Sequence, residues 1–118
     1  MWRDLAALDD IADGKTLATA ADGWRILLCR TGDTVYALEN RCSHAKESLE
    51  GGRLRAGCII CPHHGARFDL ATGQDKGPPA IGPIKRFDVS LEQGRIHVAV
   101  PKATETTAPK LGSGPTLF

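Results

Sequence analysis

Long apolar runs are missing from this sequence. No stretch approaches the ~20 residues that a membrane span requires, so a transmembrane helix is not expected. The start, Met1-Trp2-Arg3-Asp4, lacks the basic leader, apolar middle and small-residue cleavage site of a signal peptide. The expectation is a soluble, cytoplasmic protein. Excess charge is missing too. A formal net charge of +1 over 118 residues gives no bulk attraction to nucleic acid or to an anionic membrane. Helix-length periodicity is scarce, and there is no internal repeat. Nothing resembles a nucleophile–base pair, a phosphate loop or a dinucleotide fingerprint, so chemistry on an organic substrate is not expected.

What remains is a run of short strands and Gly-rich turns. Segments 2–8, 16–19, 24–30 and 34–38 read as strands, with Thr31-Gly32-Asp33 as a hairpin loop. The middle of the third, Ile26-Leu27-Leu28-Cys29, is continuously apolar. Short strands follow the Gly51-Gly52 turn, at 57–61 and at 68–70. Gly77-Pro78-Pro79 and Gly82-Pro83 mark a loop that is neither helix nor central strand. A final hairpin joins 85–91 to 95–100 through Glu92-Gln93-Gly94, and Ile96, Val98 and Val100 share one face by period-two alternation. Nine or ten short strands at close spacing predict an all-β sandwich or barrel. The length suits one domain, 1–118, with an inserted metal-holding subdomain at about 41–82. Beyond Pro101 the composition turns to Thr, Ala, Pro, Gly and Ser, a C-terminal extension.

Two stretches inside that insertion carry the chemistry. Cys42-Ser43-His44 and Cys61-Pro62-His63-His64 each offer a thiolate and an imidazole a few residues apart, from turn-rich loops. Four such ligands suit a [2Fe–2S] cluster held by two cysteines on one iron and two histidines on the other. They also suit a tetrahedral zinc site. Zinc fingers usually pair Cys with Cys and His with His; here each pair is mixed, which favours iron–sulfur while leaving zinc open. The remaining candidates have plainer readings. Cys29 and Cys58 read as packed thiols, His63 as a loop residue, His97 as a surface side chain, and Trp2 and Trp24 as packing residues rather than electron relays. Arg41, Lys46, Arg53, Arg55 and Arg67 outnumber Glu47 and Glu50 between 41 and 67. The plain reading is a mixed solvated surface. The sharper one is a basic collar that orients an acidic partner.

The residues resemble the Rieske family. Cys42-x-His44 with Cys61-Pro62-His63-His64-Gly65 matches its signature, and Phe68-Asp69, Thr72-Gly73 and Gly77-Pro78-Pro79 extend the match. Upstream, Val35-Tyr36-Ala37-Leu38 before Arg41-Cys42 fits as well. The resemblance runs over roughly 2–100 and points to the small ferredoxins that serve bacterial ring-hydroxylating oxygenases. It implies a Rieske-type β-sandwich with an inserted cluster-binding subdomain. Cys42, His44, Cys61 and His64 would hold one [2Fe–2S] cluster per chain, under a loop containing Pro78 and Pro79. The implied role is a one-electron carrier between a ferredoxin reductase and a terminal Rieske oxygenase, binding no organic substrate itself. A nitrite reductase small subunit or another multicomponent oxidoreductase is the nearer alternative. A zinc-stabilised interaction module is the more distant one.

Departures from the family pattern refine this. High-potential members carry an extra cysteine in each ligand loop, and Glu47 and His63 stand at those places, so no bridge between the loops can form. Ala66 and Phe68 stand where those proteins place a serine and a tyrosine. Without hydroxyl donors, extra electron density on sulfur is less stabilised and reduction becomes harder. A potential near the low end of the Rieske range, about −150 mV, is expected. Protein-film voltammetry checks it, and a clearly positive value would refute it.

Overall fold

The computed structural model describes residues 1–41, 48–62, 65–77 and 82–101. Among these, ten strands and one short 3-10 turn (Leu8–Asp10) make up the regular structure. The strands are β1 (Trp2–Ala7), β2 (Thr16–Ala21), β3 (Trp24–Thr31), β4 (Thr34–Glu39), β5 (Arg53–Arg55), β6 (Cys58–Ile60), β7 (Arg67–Asp69), β8 (Arg86–Phe87), β9 (Val89–Glu92) and β10 (Arg95–Ala99). The all-β expectation is met. Among the described residues no helix is long and apolar enough to cross a membrane.

All pairings are antiparallel and fall into three sheets, ordered β1-β10-β9, β2-β3-β4-β8 and β5-β6-β7. The middle sheet is buried on both faces. Alternate residues of β3 point opposite ways. Ile26 and Leu28 join Ala6, Phe87, Ile96, Val98 and Val100 on one side. Leu27 and Cys29 join Leu38, Leu49, Ile59 and Phe68 on the other. This double burial explains why the run 26–29 is apolar throughout while Ile96, Val98 and Val100 alternate with more exposed neighbours.

The turns follow the strand twist. Asp22-Gly23, Ala56-Gly57 and Gln93-Gly94 have positive φ at both central positions, the geometry that matches right-handed strands in a two-residue hairpin. The β3–β4 connection is tighter than the sequence suggests. Thr31 already pairs with Thr34, leaving Gly32-Asp33 as the loop.

One expected strand divides. Segment 85–91 reads as a single strand, yet β8 pairs with β4 and β9 with β10. The chain crosses from one sheet to the next at Asp88, whose carbonyl accepts the Ala99 N–H at 2.9 Å. Phe87 and Val89 still face the same core. The period-two pattern therefore runs through the crossing unbroken and gives no sign of it.

The tryptophans part company. Trp24 packs edge-on to Phe87 (5.5 Å between centroids, 76°) and donates its indole N–H to the Pro101 carbonyl at 2.9 Å. The Lys85 ammonium lies 5.7 Å from the Trp24 ring centroid and 5.6 Å from that of Phe87. Trp2 is 53% exposed, so the packing expectation fails for it. Its β1 position places it on the outer face of the first sheet.

Leu27 and Leu28 are both fully buried on opposite faces of one strand. Leu27→Ala and Leu28→Ala should each lower unfolding free energy by about 2–5 kcal/mol, measured by urea denaturation. A loss below ~1 kcal/mol for either would mean that its face of the sheet is not close-packed.

Candidate metal centre

Of the four sequence-predicted ligands, the described residues include Cys61; Cys42, His44 and His64 lie outside them, as do Glu47, Lys46, His63, Pro78 and Pro79. What the structure places is the ground from which three loops rise: 41–48 between β4 and β5, 61–66 between β6 and β7, and 77–83 ahead of β8.

The first loop is closed at its root by Asn40. Among the described residues this is the one buried polar side chain, 4% exposed. Its Oδ1 accepts the Leu49 N–H at 2.8 Å and the Ser48 hydroxyl at 3.0 Å, and its own N–H donates to the Arg25 carbonyl at 2.8 Å. The side chain thus ties the residue just before the loop to the residues just after it. Sequence reading overlooked Asn40. The available signal was an Asn at the mouth of a turn-rich segment, a residue type whose side chain readily bonds nearby backbone.

The two ends of the second loop are bonded to each other. The Cys61 N–H donates to the Ala66 carbonyl at 2.7 Å, and the Gly65 N–H returns to the Cys61 carbonyl at 3.1 Å. Cys61 is 2% exposed, so a thiolate there is shielded from bulk water.

The third loop is pinned at both ends. The Lys76 N–H donates to the Arg67 carbonyl (3.0 Å), and the Ile84 N–H donates to the Gly73 carbonyl (2.9 Å). Gly73 has φ +79°, and a Cβ there would run into the Ile84 carbonyl oxygen; only glycine permits this approach. The preceding turn is organised by Asp69, whose Oδ1 accepts the N–H groups of Ala71 (2.8 Å) and Thr72 (3.1 Å). The Ala71 bond foremost, with those of Thr72 and Lys76, holds the Asp69 carboxyl below its usual range against the opposing effect of burial.

The three roots converge. Leu38, Leu49, Cys61, Ala66 and Ile84 belong to one buried apolar cluster with Leu27, Cys29, Ile59, Phe68 and Leu70. Segments distant in sequence are thereby brought to one end of the β5-β6-β7 sheet on a common apolar floor. Ala66 and Phe68 are both fully buried and contribute no hydroxyl.

The other cysteines behave as packed thiols. Cys29 is fully buried, and burial pushes its thiol pKa up to about 12, far from the thiolate a metal needs. Cys58 is also buried, and Cys29, Cys58 and Cys61 are free of disulfides. His97 is partly exposed on β10, opposite Asp4 and Ser90 on the flanking strands. Among the described residues no group of three or more His, Cys, Asp or Glu stands ready for another metal.

Comparisons with known proteins agree with this arrangement. The model of the Rieske [2Fe-2S] domain family matches residues 1–88. The ferredoxin component of the naphthalene 1,2-dioxygenase/salicylate 5-hydroxylase systems of Ralstonia sp. is 35% identical over 95 residues, covering 80% of this chain and 91% of that protein. The solved ferredoxin of carbazole 1,9a-dioxygenase from Nocardioides aromaticivorans IC177 superposes with a TM-score of 0.80 at 37% identity, over 84% of this chain and 97% of that one. A ferredoxin solved in complex with the reduced oxygenase of carbazole 1,9a-dioxygenase superposes at 0.76 with 31% identity, over 83% and 92%.

Asn40→Ala would leave the buried Leu49 N–H without its acceptor. A loss of about 1–3 kcal/mol in stability is expected, together with iron retained below the wild-type level. Chemical denaturation and iron analysis check this; unchanged values in both would remove Asn40 from loop closure.

Proposed function

Because the chain belongs to the Rieske [2Fe-2S] domain family, we propose that it is a one-electron carrier, not itself an enzyme, that passes electrons from a ferredoxin reductase to a terminal ring-hydroxylating oxygenase. The observation that carries this reading is the convergence of the three loop roots, with Cys61, on one buried floor. A donor set of two cysteines and two histidines fits a Rieske cluster at that end of the fold. In this reading Cys42 and Cys61 hold one iron, and His44 and His64 the other, one cluster per chain. The domain is single, with its cluster-binding part at about 41–82 and an extension from 101 to 118.

A bound Rieske cluster supplies a centre that accepts and releases one electron at a more positive potential than an all-cysteine cluster, because neutral imidazoles replace thiolates. The protein's own residues do the rest. Leu38, Leu49, Ala66, Phe68 and Ile84 provide an apolar floor that keeps water from the thiolate side. Asn40 and the Cys61–Ala66 backbone bond fix the loop roots. In this reading each neutral imidazole ligand keeps a second N–H to donate, and His44 and His64 are the contact through which partners exchange electrons.

The partners are inferred from relatives that are themselves named as ferredoxin components of dioxygenase systems, one of them solved with its oxygenase. The free thiols Cys29 and Cys58 suit a reducing compartment, and we place the carrier in the cytoplasm.

Purified protein should be coloured, contain two irons per chain and undergo reversible one-electron reduction. Cys42→Ser, Cys61→Ser, His44→Ala and His64→Ala should each abolish the colour. Added to the reductase and oxygenase components of an aromatic dioxygenase system, the wild-type chain should be required for product formation. A colourless, zinc-loaded, redox-silent protein would overturn the proposal.

A further inference from the structure

The outward face of the β5-β6-β7 sheet is built differently from its inward face. Inward, Leu54, Ile59 and Phe68 stand in one row across the three strands and pack on the core. Outward, the row nearest the ligand loops is Arg53, Ile60 and Arg67, again in register. Both arginines are exposed and Ile60 is half-buried between them. Neither guanidinium meets a carboxylate within ion-pair distance among the described residues. Arg3, Arg86 and Arg95, by contrast, each hold an aspartate at 2.8 Å. The next row is Arg55, Cys58 and Asp69. Its carboxylate is already engaged by Lys76 at 3.6 Å and by backbone N–H groups.

This row borders the segments that carry the candidate ligands. Ile60 directly precedes Cys61, Arg67 directly follows the hairpin that Cys61 opens, and Arg53 follows the first loop. The row also continues into an open cleft of about 400 Å³, lined by Gly14, Lys15, Thr16, Gly51, Gly52, Arg53 and Leu54. Two basic residues, Lys15 and Arg53, line that cleft, one from the middle sheet's side and one from β5.

We propose that Arg53, Ile60 and Arg67, with the Lys15–Arg53 cleft, form the docking face for an electron-transfer protein whose redox port is fringed with carboxylates. The charge is local, because the whole chain carries only +1. A protein with so small a net charge orients its partner only by concentrating charge of one sign beside the port. Ile60 supplies the apolar contact between two charged flanks, and the cleft accepts a protruding acidic side chain. The inference rests on the electron-carrier reading above but makes a separate claim about where and how the partner binds.

Two probes test it on the full-length, cluster-loaded protein. The first is the rate of oxidation of the reduced protein by the trianion hexacyanoferrate(III) and by the trication hexaammineruthenium(III). The anion's rate should fall as salt is raised. At low ionic strength the anion-to-cation rate ratio should drop by about tenfold in Arg53→Gln/Arg67→Gln. Arg53→Lys/Arg67→Lys keeps the charge and should keep the ratio. Thr34→Glu/Gln93→Glu makes the same net change at turns away from the ligand loops and should also keep it. The second probe, poly-L-glutamate binding by calorimetry, does not depend on redox chemistry. Affinity should weaken in the Gln pair and not in the Thr34/Gln93 pair. Equal effects from both pairs, or a wild-type preference for the cation, would overturn the docking face while leaving the carrier intact. A protein that binds poly-L-glutamate through these arginines but shows no redox response would overturn the carrier reading and leave the basic face standing.

Discussion

The whole arrangement depends on burying one strand from both sides. β3 gives Ile26 and Leu28 to one core and Leu27 and Cys29 to the other, so the middle sheet is the wall between two apolar layers. One layer closes the sandwich against β1, β9 and β10. The other carries the β5-β6-β7 sheet and, with it, the roots of the candidate centre. Fully burying Ile26, Leu27 or Leu28 contributes roughly 1.5–3 kcal/mol each relative to exposure. That is enough for a few residues to decide whether the upper sheet stays seated. A slip of one residue in β3 would exchange the two sets between the faces and misplace Leu38 and Ile59 relative to each other. The site is thus positioned by packing beneath it, before any ligand acts.

Polar groups then finish what packing begins. A loop that must present ligands cannot also satisfy its own backbone through a sheet ladder. Its root groups need other partners. Asn40 answers this for Leu49, the Cys61–Ala66 bond for the second loop, and the Gly73–Ile84 contact for the third. Each of these partners lies at a loop root.

Much of this was legible in the sequence. The alternation of Ile96, Val98 and Val100, the turn residues, the unbroken apolar run at 26–29 and the paired Cys and His motifs all report local constraints, and local constraints leave local patterns. The sheet crossing at Asp88 was not legible, because Phe87 and Val89 face one core on both sides of the switch. Asn40 was not legible because its role depends on Leu49, which loop closure brings near. Trp2 misled for the converse reason: a large aromatic ring is usually buried, and nothing nearby announces that β1 turns it outward. The basic residues between 41 and 67 were visible as a composition, but only strand register puts Arg53 beside Ile60 and Arg67 and separates them from Arg55.

That register carries an evolutionary consequence. Along β5, β6 and β7, support for the centre and recognition by a partner are written on alternate residues of the same strands. Leu54, Ile59 and Phe68 answer to the core; Arg53, Ile60 and Arg67 answer to whatever approaches. Because the two sets point to opposite faces of one sheet, partner preference can be altered on one row while the other keeps its place in the core.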